Sequence, residues 1–228
     1  MDDLFDGATH APIPTKHEIA RLFEAAGKKK NPHGIRLVAL LRLQYGAGLD
    51  CDELVSLPAC AISDDYHFVK VTGGQYRSRT VPISAGASTA ISKYFSVWPW
   101  FAPKEWCGYD PSHFLFPDPL SLWHLMPAHY ANLLVKLSEE AGINPAKVGP
   151  NALRRAFAVH THSNGCPQNL LQYILGDNAP IKLERTTGSS SLERKRAVIR
   201  RHPLARSSNT CEPNAPYLPL KRDGDDAA

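Results

Sequence analysis

The stretch from Gly34 to Tyr45 constrains the fold most. Its apolar residues Ile35, Leu37, Val38, Leu40, Leu41 and Leu43 occupy almost the whole circumference of a helix. A helix with no polar side has to be enclosed by other elements, and 228 residues, 43% of them hydrophobic, suffice for one substantial domain to enclose it. The candidate neighbours are visible as periodic segments. Lys16 to Ala26 sets Ile19, Leu22, Phe23 and Ala26 on one helical face, with Gly27 as its stop. A short helix is expected over Asp52–Leu57. Tyr66–Thr72 and Ser78–Ile83 read as two strands joined through Gly73-Gly74. Helical spacing returns in Ala87–Phe95, in Tyr130–Ala141 before Gly142, in Ala152–His162 before Gly165 and in Gln168–Leu175 before Gly176. The aromatic, Pro-rich stretch from Trp98 to Pro127 is expected as a long packed loop. The result is a mainly α fold with a small antiparallel β-sheet (α+β). Residues 1–14 read as a flexible lead-in, 15–202 as the domain with a last basic helix over Ser191–Arg201, and 203–228 as a disordered tail.

The net charge of +4 is modest, but it is unevenly spread. Between Lys182 and Arg206 there are eight basic residues against Glu184 and Glu193, a local +6 that leaves the rest of the chain at −2. Five scattered cysteines, Cys51, Cys60, Cys107, Cys166 and Cys211, lack the close pairing of zinc or redox motifs and are expected as reduced thiols. His160 and His162 point to different helical faces, while His124 and His129 have no matching pair, so neither a metal nor any other cofactor is expected. With no long apolar run, and with the acidic start Met1-Asp2-Asp3, a cytoplasmic chain is expected.

Four stretches together resemble the catalytic domain of the tyrosine recombinases (phage integrases). Leu40–Leu57, LLRLQYGAGLDCDELVSL, is similar to a Thr-Gly-Leu-Arg turn leading into a Ser-Glu-Leu helix. Val71–Ile83, VTGGQYRSRTVPI, is similar to a hairpin that ends in Arg-x-Val-Pro-Leu. Phe114–Pro117 is followed by a helix ending in Glu140-Ala141-Gly142-Ile143. Gly149–Gly176 resembles the Pro-His-x-Leu-Arg-His helix and the Leu-Gly-His turn after it. The match spans about residues 12–190, in the family's order. Only about thirty residues precede the first core helix, so the family's N-terminal DNA-clamping domain is expected to have no counterpart.

The resemblance implies a phosphoryl transfer in which a tyrosine attacks the DNA backbone, helped by two arginines, a lysine and histidine or tryptophan positions that stabilise the charged transition state. Carried over, the first arginine is Asp50, the hairpin lysine Gly74, the first histidine Asn151, the histidine of Leu-Gly-His Asp177, and the tyrosine Thr186. Arg154 keeps the second arginine, and Arg155 replaces the histidine beside it. No tyrosine lies between Tyr173 and Tyr217.

These departures lead to the expectation of a catalytically degenerate chain, not an enzyme, that binds double-stranded DNA. Its expected role is transcriptional regulator or accessory factor of a mobile element, nucleoid- or plasmid-associated in a bacterial cell. Two alternatives stay open: a divergent strand-transfer enzyme with a displaced nucleophile such as Tyr217, and a protein-interaction module. The expected DNA contacts are Arg154, Arg155, the hairpin residues Arg77 and Arg79 with Tyr76 beside them, Lys28, Lys29 and Lys30, and the cluster Arg194, Lys195, Arg196, Arg200 and Arg201. Arg154 has a second reading, as an ion pair with Asp50 or Asp177. The C-terminal cluster has one in self-association.

Overall fold

The computed structural model describes residues 12–72, 78–106, 110, 112–118, 120–121 and 123–176. Its elements are α1 (Lys16–Lys28), α2 (Pro32–Ala47), α3 (Cys51–Val55), β1 (Phe68–Val71), β2 (Arg79–Pro82), α4 (Ala85–Phe95), α5 (Pro127–Glu140), α6 (Pro150–Ser163) and α7 (Gln168–Leu175), with single 3-10 turns at Ala59–Ala61, Trp98–Trp100 and Pro145–Lys147. The strands pair antiparallel, with Val69 opposite Val81. The mainly α fold with a small antiparallel sheet is as expected. The N-terminal segment up to residue 11, the basic helix over Ser191–Arg201 and the tail 203–228 lie outside the described residues.

The enclosed helix is α2, packed against α1, α4 and α6. Leu37, Leu40, Leu41, Leu43 and Tyr45 are all buried. Its two buried polar side chains each tie it to another part of the chain. Arg36 donates to the Pro117 carbonyl at 2.9 Å and lies 4.5 Å over the Phe101 ring, which pins the Trp98–Pro127 stretch to the core. Gln44 accepts from the Tyr130 hydroxyl at 2.7 Å and donates to the Pro150 carbonyl at 3.3 Å, linking α2 to α5 and α6. Burial is tolerated because each of these groups finds a partner.

Element ends follow capping chemistry, and this shifts several expected boundaries. The α1 helix runs past Gly27 to Lys28 and ends at an extended Lys29. The α2 helix begins at Pro32 because the Asn31 side chain accepts from the Gly34 amide. It ends at Gly48, which takes φ +63° where a Cβ would meet the Phe157 ring at 2.4 Å. The first strand starts at Phe68 rather than Tyr66, since Tyr66 has φ +56° in a turn closed onto Ser63. The stretch from Trp98 packs as expected: the Ala59 amide donates to His113, the Leu115 amide to Leu57, and the Trp98 indole to Phe114.

Candidate functional site

The site is built where the turn after α2, the start of β2 and the end of α7 meet. Asp50 is the N-cap of α3: its carboxylate accepts from the Asp52 amide at 3.3 Å, while Glu53 reaches back to the Asp50 amide at 3.0 Å. This capping box holds Glu53 inward, with its side chain 3% exposed. Arg79 grips Glu53 with both terminal nitrogens, at 2.6 and 2.8 Å, and its Nε donates to the Ile174 carbonyl at 2.5 Å. Arg154 donates to the Gly48 carbonyl and the Leu175 carbonyl, both at 2.7 Å, and stands 3.5 Å from Glu53.

Two guanidiniums thus share one carboxylate, leaving an excess positive charge. The last carbonyls of α7, the negative end of that helix, face both of them and offset part of it. The Arg154 side chain keeps 11% of its surface exposed, so an edge of its guanidinium can meet an anion from outside. Asp50, held at the α3 cap, is occupied with backbone amides. The expected ion pair of Arg154 is present, but its carboxylate is Glu53, which neither expected partner anticipated.

The expectation for Arg79 is corrected. Its side chain is 1% exposed and faces inward on the same side of β2 as Val81, so it braces the hairpin from within. Arg155 is half-buried on α6, and Asn151 is exposed in the first turn of that helix. Lys28 and Lys29 pair with Glu24 and Glu140 at 3.4 and 2.9 Å, on elements away from the Glu53 cluster, and Lys30 is exposed beside them. Gly74, Tyr76, Arg77, Asp177, Thr186, Arg194, Lys195, Arg196, Arg200, Arg201 and Tyr217 lie outside the described residues.

Candidate nucleophiles divide sharply by burial. Tyr45, Tyr94 and Tyr130 are buried, and burial pushes each phenol well above its ordinary range. Burial, together with Asp52 and Asp50, pushes the Cys51 thiol up to about 12, which keeps it protonated. Tyr173 differs: it is 40% exposed on α7, next in sequence to the carbonyls that hold Arg79 and Arg154. Glu53 and Tyr173 are the two residues that the sequence reading passed over. For Glu53 a signal existed, because Asp50-x-x-Glu53 is a capping-box spacing that predicts a helix start and an inward-reaching glutamate. Among the described residues no group of three His, Cys, Asp or Glu is placed to hold a metal, and no helix is long and apolar enough to cross a membrane.

Residues 14–179 match the model of the phage integrase family. The chain is 32% identical over 198 residues to tyrosine recombinase XerD of Caulobacter vibrioides, covering 86% of this chain and 64% of that protein. It is 34% identical over 203 residues to tyrosine recombinase XerC of Erythrobacter litoralis, covering 85% and 61%. The chain therefore spans a little over three-fifths of the length of these relatives. Among solved structures it is similar to the XerA recombinase, with a TM-score of 0.63 at 22% identity over 83% of this chain and 65% of that one. It is also similar to the XerH recombinase bound to its difH substrate before cleavage, with a TM-score of 0.60 at 17% identity over 82% and 50%. These relatives overturn the expectation that the chain is not an enzyme, since the sequences it follows at 32–34% identity are recombinases, enzymes that break and rejoin DNA. With the family model covering most of its length and the fold in agreement, the chain belongs to the phage integrase family, the tyrosine recombinases.

Proposed function

We propose that the chain grips duplex DNA and takes part in DNA breaking and rejoining, in the manner of the recombinases it resembles. The observation that carries this reading is the cluster in which Glu53 holds Arg79 and Arg154, leaving an Arg154 edge open at the junction of α3, β2 and α7. A guanidinium held in this way is preorganised for a phosphate oxygen and needs no reordering when the backbone arrives. Support also comes from the relatives named as recombinases and from the similar XerH structure, whose substrate is a DNA site.

In this reading a tyrosine hydroxyl attacks phosphorus, a 3′-phosphotyrosyl bond forms and the 5′-oxygen leaves with a proton. Asp50 and Thr186 stand where the resemblance implies an arginine and a tyrosine, so the nucleophile is displaced. Tyr173, exposed on α7, and Tyr217 are the candidates. The test is incubation of the full chain with nicked suicide duplexes followed by denaturing electrophoresis. The expected result is a covalent adduct that one of Tyr173→Phe and Tyr217→Phe abolishes. Binding without an adduct would overturn the breaking-and-rejoining reading, and no binding at low salt would overturn DNA recognition as well.

A further inference from the structure

Large apolar side chains left open to solvent cluster in one stretch. Among the described residues, Trp100 is 75% exposed, Leu120 95%, Trp123 57% and Met126 52%. Concentrated exposure of this kind marks an interaction surface more often than scattered single residues do. The rings near it form two ladders joined at neighbouring residues. Trp98, Trp106 and His113 stack, with Trp106 and His113 centroids 3.8 Å apart, and Phe114 leads on to Trp123 at 5.4 Å and His124 at 5.2 Å. Acidic residues flank the ladders: Glu105 beside Trp106, exposed Asp110, and Asp118, whose amide binds the Trp123 carbonyl.

The chain itself carries a segment suited to such a surface. Pro213, Pro216 and Pro219 recur every three residues, and Lys221-Arg222 follow directly. A polyproline II helix has three residues per turn, so this spacing sets all three rings along one edge. Proline edges dock on aromatic-lined surfaces at low entropic cost, because the backbone is already extended. The basic pair after the last proline complements the acidic flank of the ladders. The thirty-six residues between Gly176 and Pro213 can span about 100 Å when extended, ample for a domain of this size.

We infer that the aromatic surface of Trp106, His113, Phe114 and Trp123 is a docking site for the chain's own Pro213–Arg222 segment. This inference is independent of the strand-breaking reading. It is tested by iodide quenching of tryptophan emission in the full chain, the full chain with Pro216→Ala and Pro219→Ala, and the full chain with Trp123→Ala. The proline variant should quench more strongly than the wild type. A peptide of residues 211–224 added to it should restore protection saturably, with the peptide carrying both alanines binding about tenfold more weakly or worse. In the Trp123→Ala chain, the added proline changes should alter quenching little. Equal quenching in wild type and proline variant, with no saturable peptide effect, would overturn the inference. Protection that grows with protein concentration would also overturn it, since the occupant would then be a second copy's segment.

Discussion

Glu53 bears more of this structure than any other single side chain, since it satisfies one buried guanidinium bidentately and stands against a second. Removing one partner of a buried pair leaves an uncompensated charge, which costs about 3–5 kcal/mol. Glu53→Gln is therefore expected to lower stability by that amount in urea titration, and a variant as stable as the wild type would show the carboxylate to be dispensable. A second residue-scale effect involves His160, whose Nδ1 lies 2.8 Å from the Tyr45 hydroxyl. Burial, with Lys16 adding to it, lowers the His160 pKa, so the folded state holds the ring neutral. The unfolded chain takes up the proton first as pH falls below about 6.5, so this contribution is complete above that value and erodes below it. The erosion stops once pH drops under the folded value, and His160→Gln should flatten that part of a stability-versus-pH curve. Individual side chains were also the least legible scale. Arg154 was found because a motif carried it, whereas Arg79 was taken for a contact near the hairpin tip. Its alternation with Val81 and Ile83 indicates the inner face, but a charge on that face makes sense only once Glu53, 26 residues away, is placed opposite.

At the scale of elements, helix and strand types followed from periodicity, and errors fell at the ends, where side-chain caps decide. Asn31 and Asp50 each move a start by one or two residues because their side chains satisfy amides that apolar spacing cannot see. Gly48 is required at its turn, since alanine there would meet both a left-handed backbone and the Phe157 ring. Gly48→Ala should cost about 2–4 kcal/mol in thermal or denaturant unfolding, from the backbone penalty and overpacking combined. Asp50 allows a sharper test, because it caps α3 where the resemblance implies an arginine. Asp50→Ala should lower stability by about 1 kcal/mol through loss of the cap. Asp50→Arg should lose the same cap yet bind duplex DNA more tightly in electrophoretic titration. Unchanged affinity would place that turn away from the DNA backbone.

Across the whole molecule, the order of elements and the family were legible because several weak motifs recur in sequence order, and no single one had to be specific. What the chain does was harder to read, since missing chemical groups were weighed more heavily than overall similarity, and 32–34% identity to named recombinases decides otherwise. The charge distribution leads to a molecule-scale prediction. If the chain holds about four phosphates, the logarithm of duplex affinity should fall with the logarithm of salt at a slope of about −4. Electrophoretic titration at several salt concentrations measures that slope, and a flat dependence would remove phosphate contact as the source of binding.

The cluster around Glu53 joins α3, β2 and α7, and Arg79 must wait for Ile174, 95 residues later in the chain. A ribosome adding 5–20 residues each second takes roughly 5 to 20 seconds to supply that distance. Throughout that interval the half-made protein carries arginines whose partners have not yet been synthesised. A message truncated before the codons of α7 should therefore yield a product that proteases clear, while one extending just beyond them should yield a polypeptide that endures.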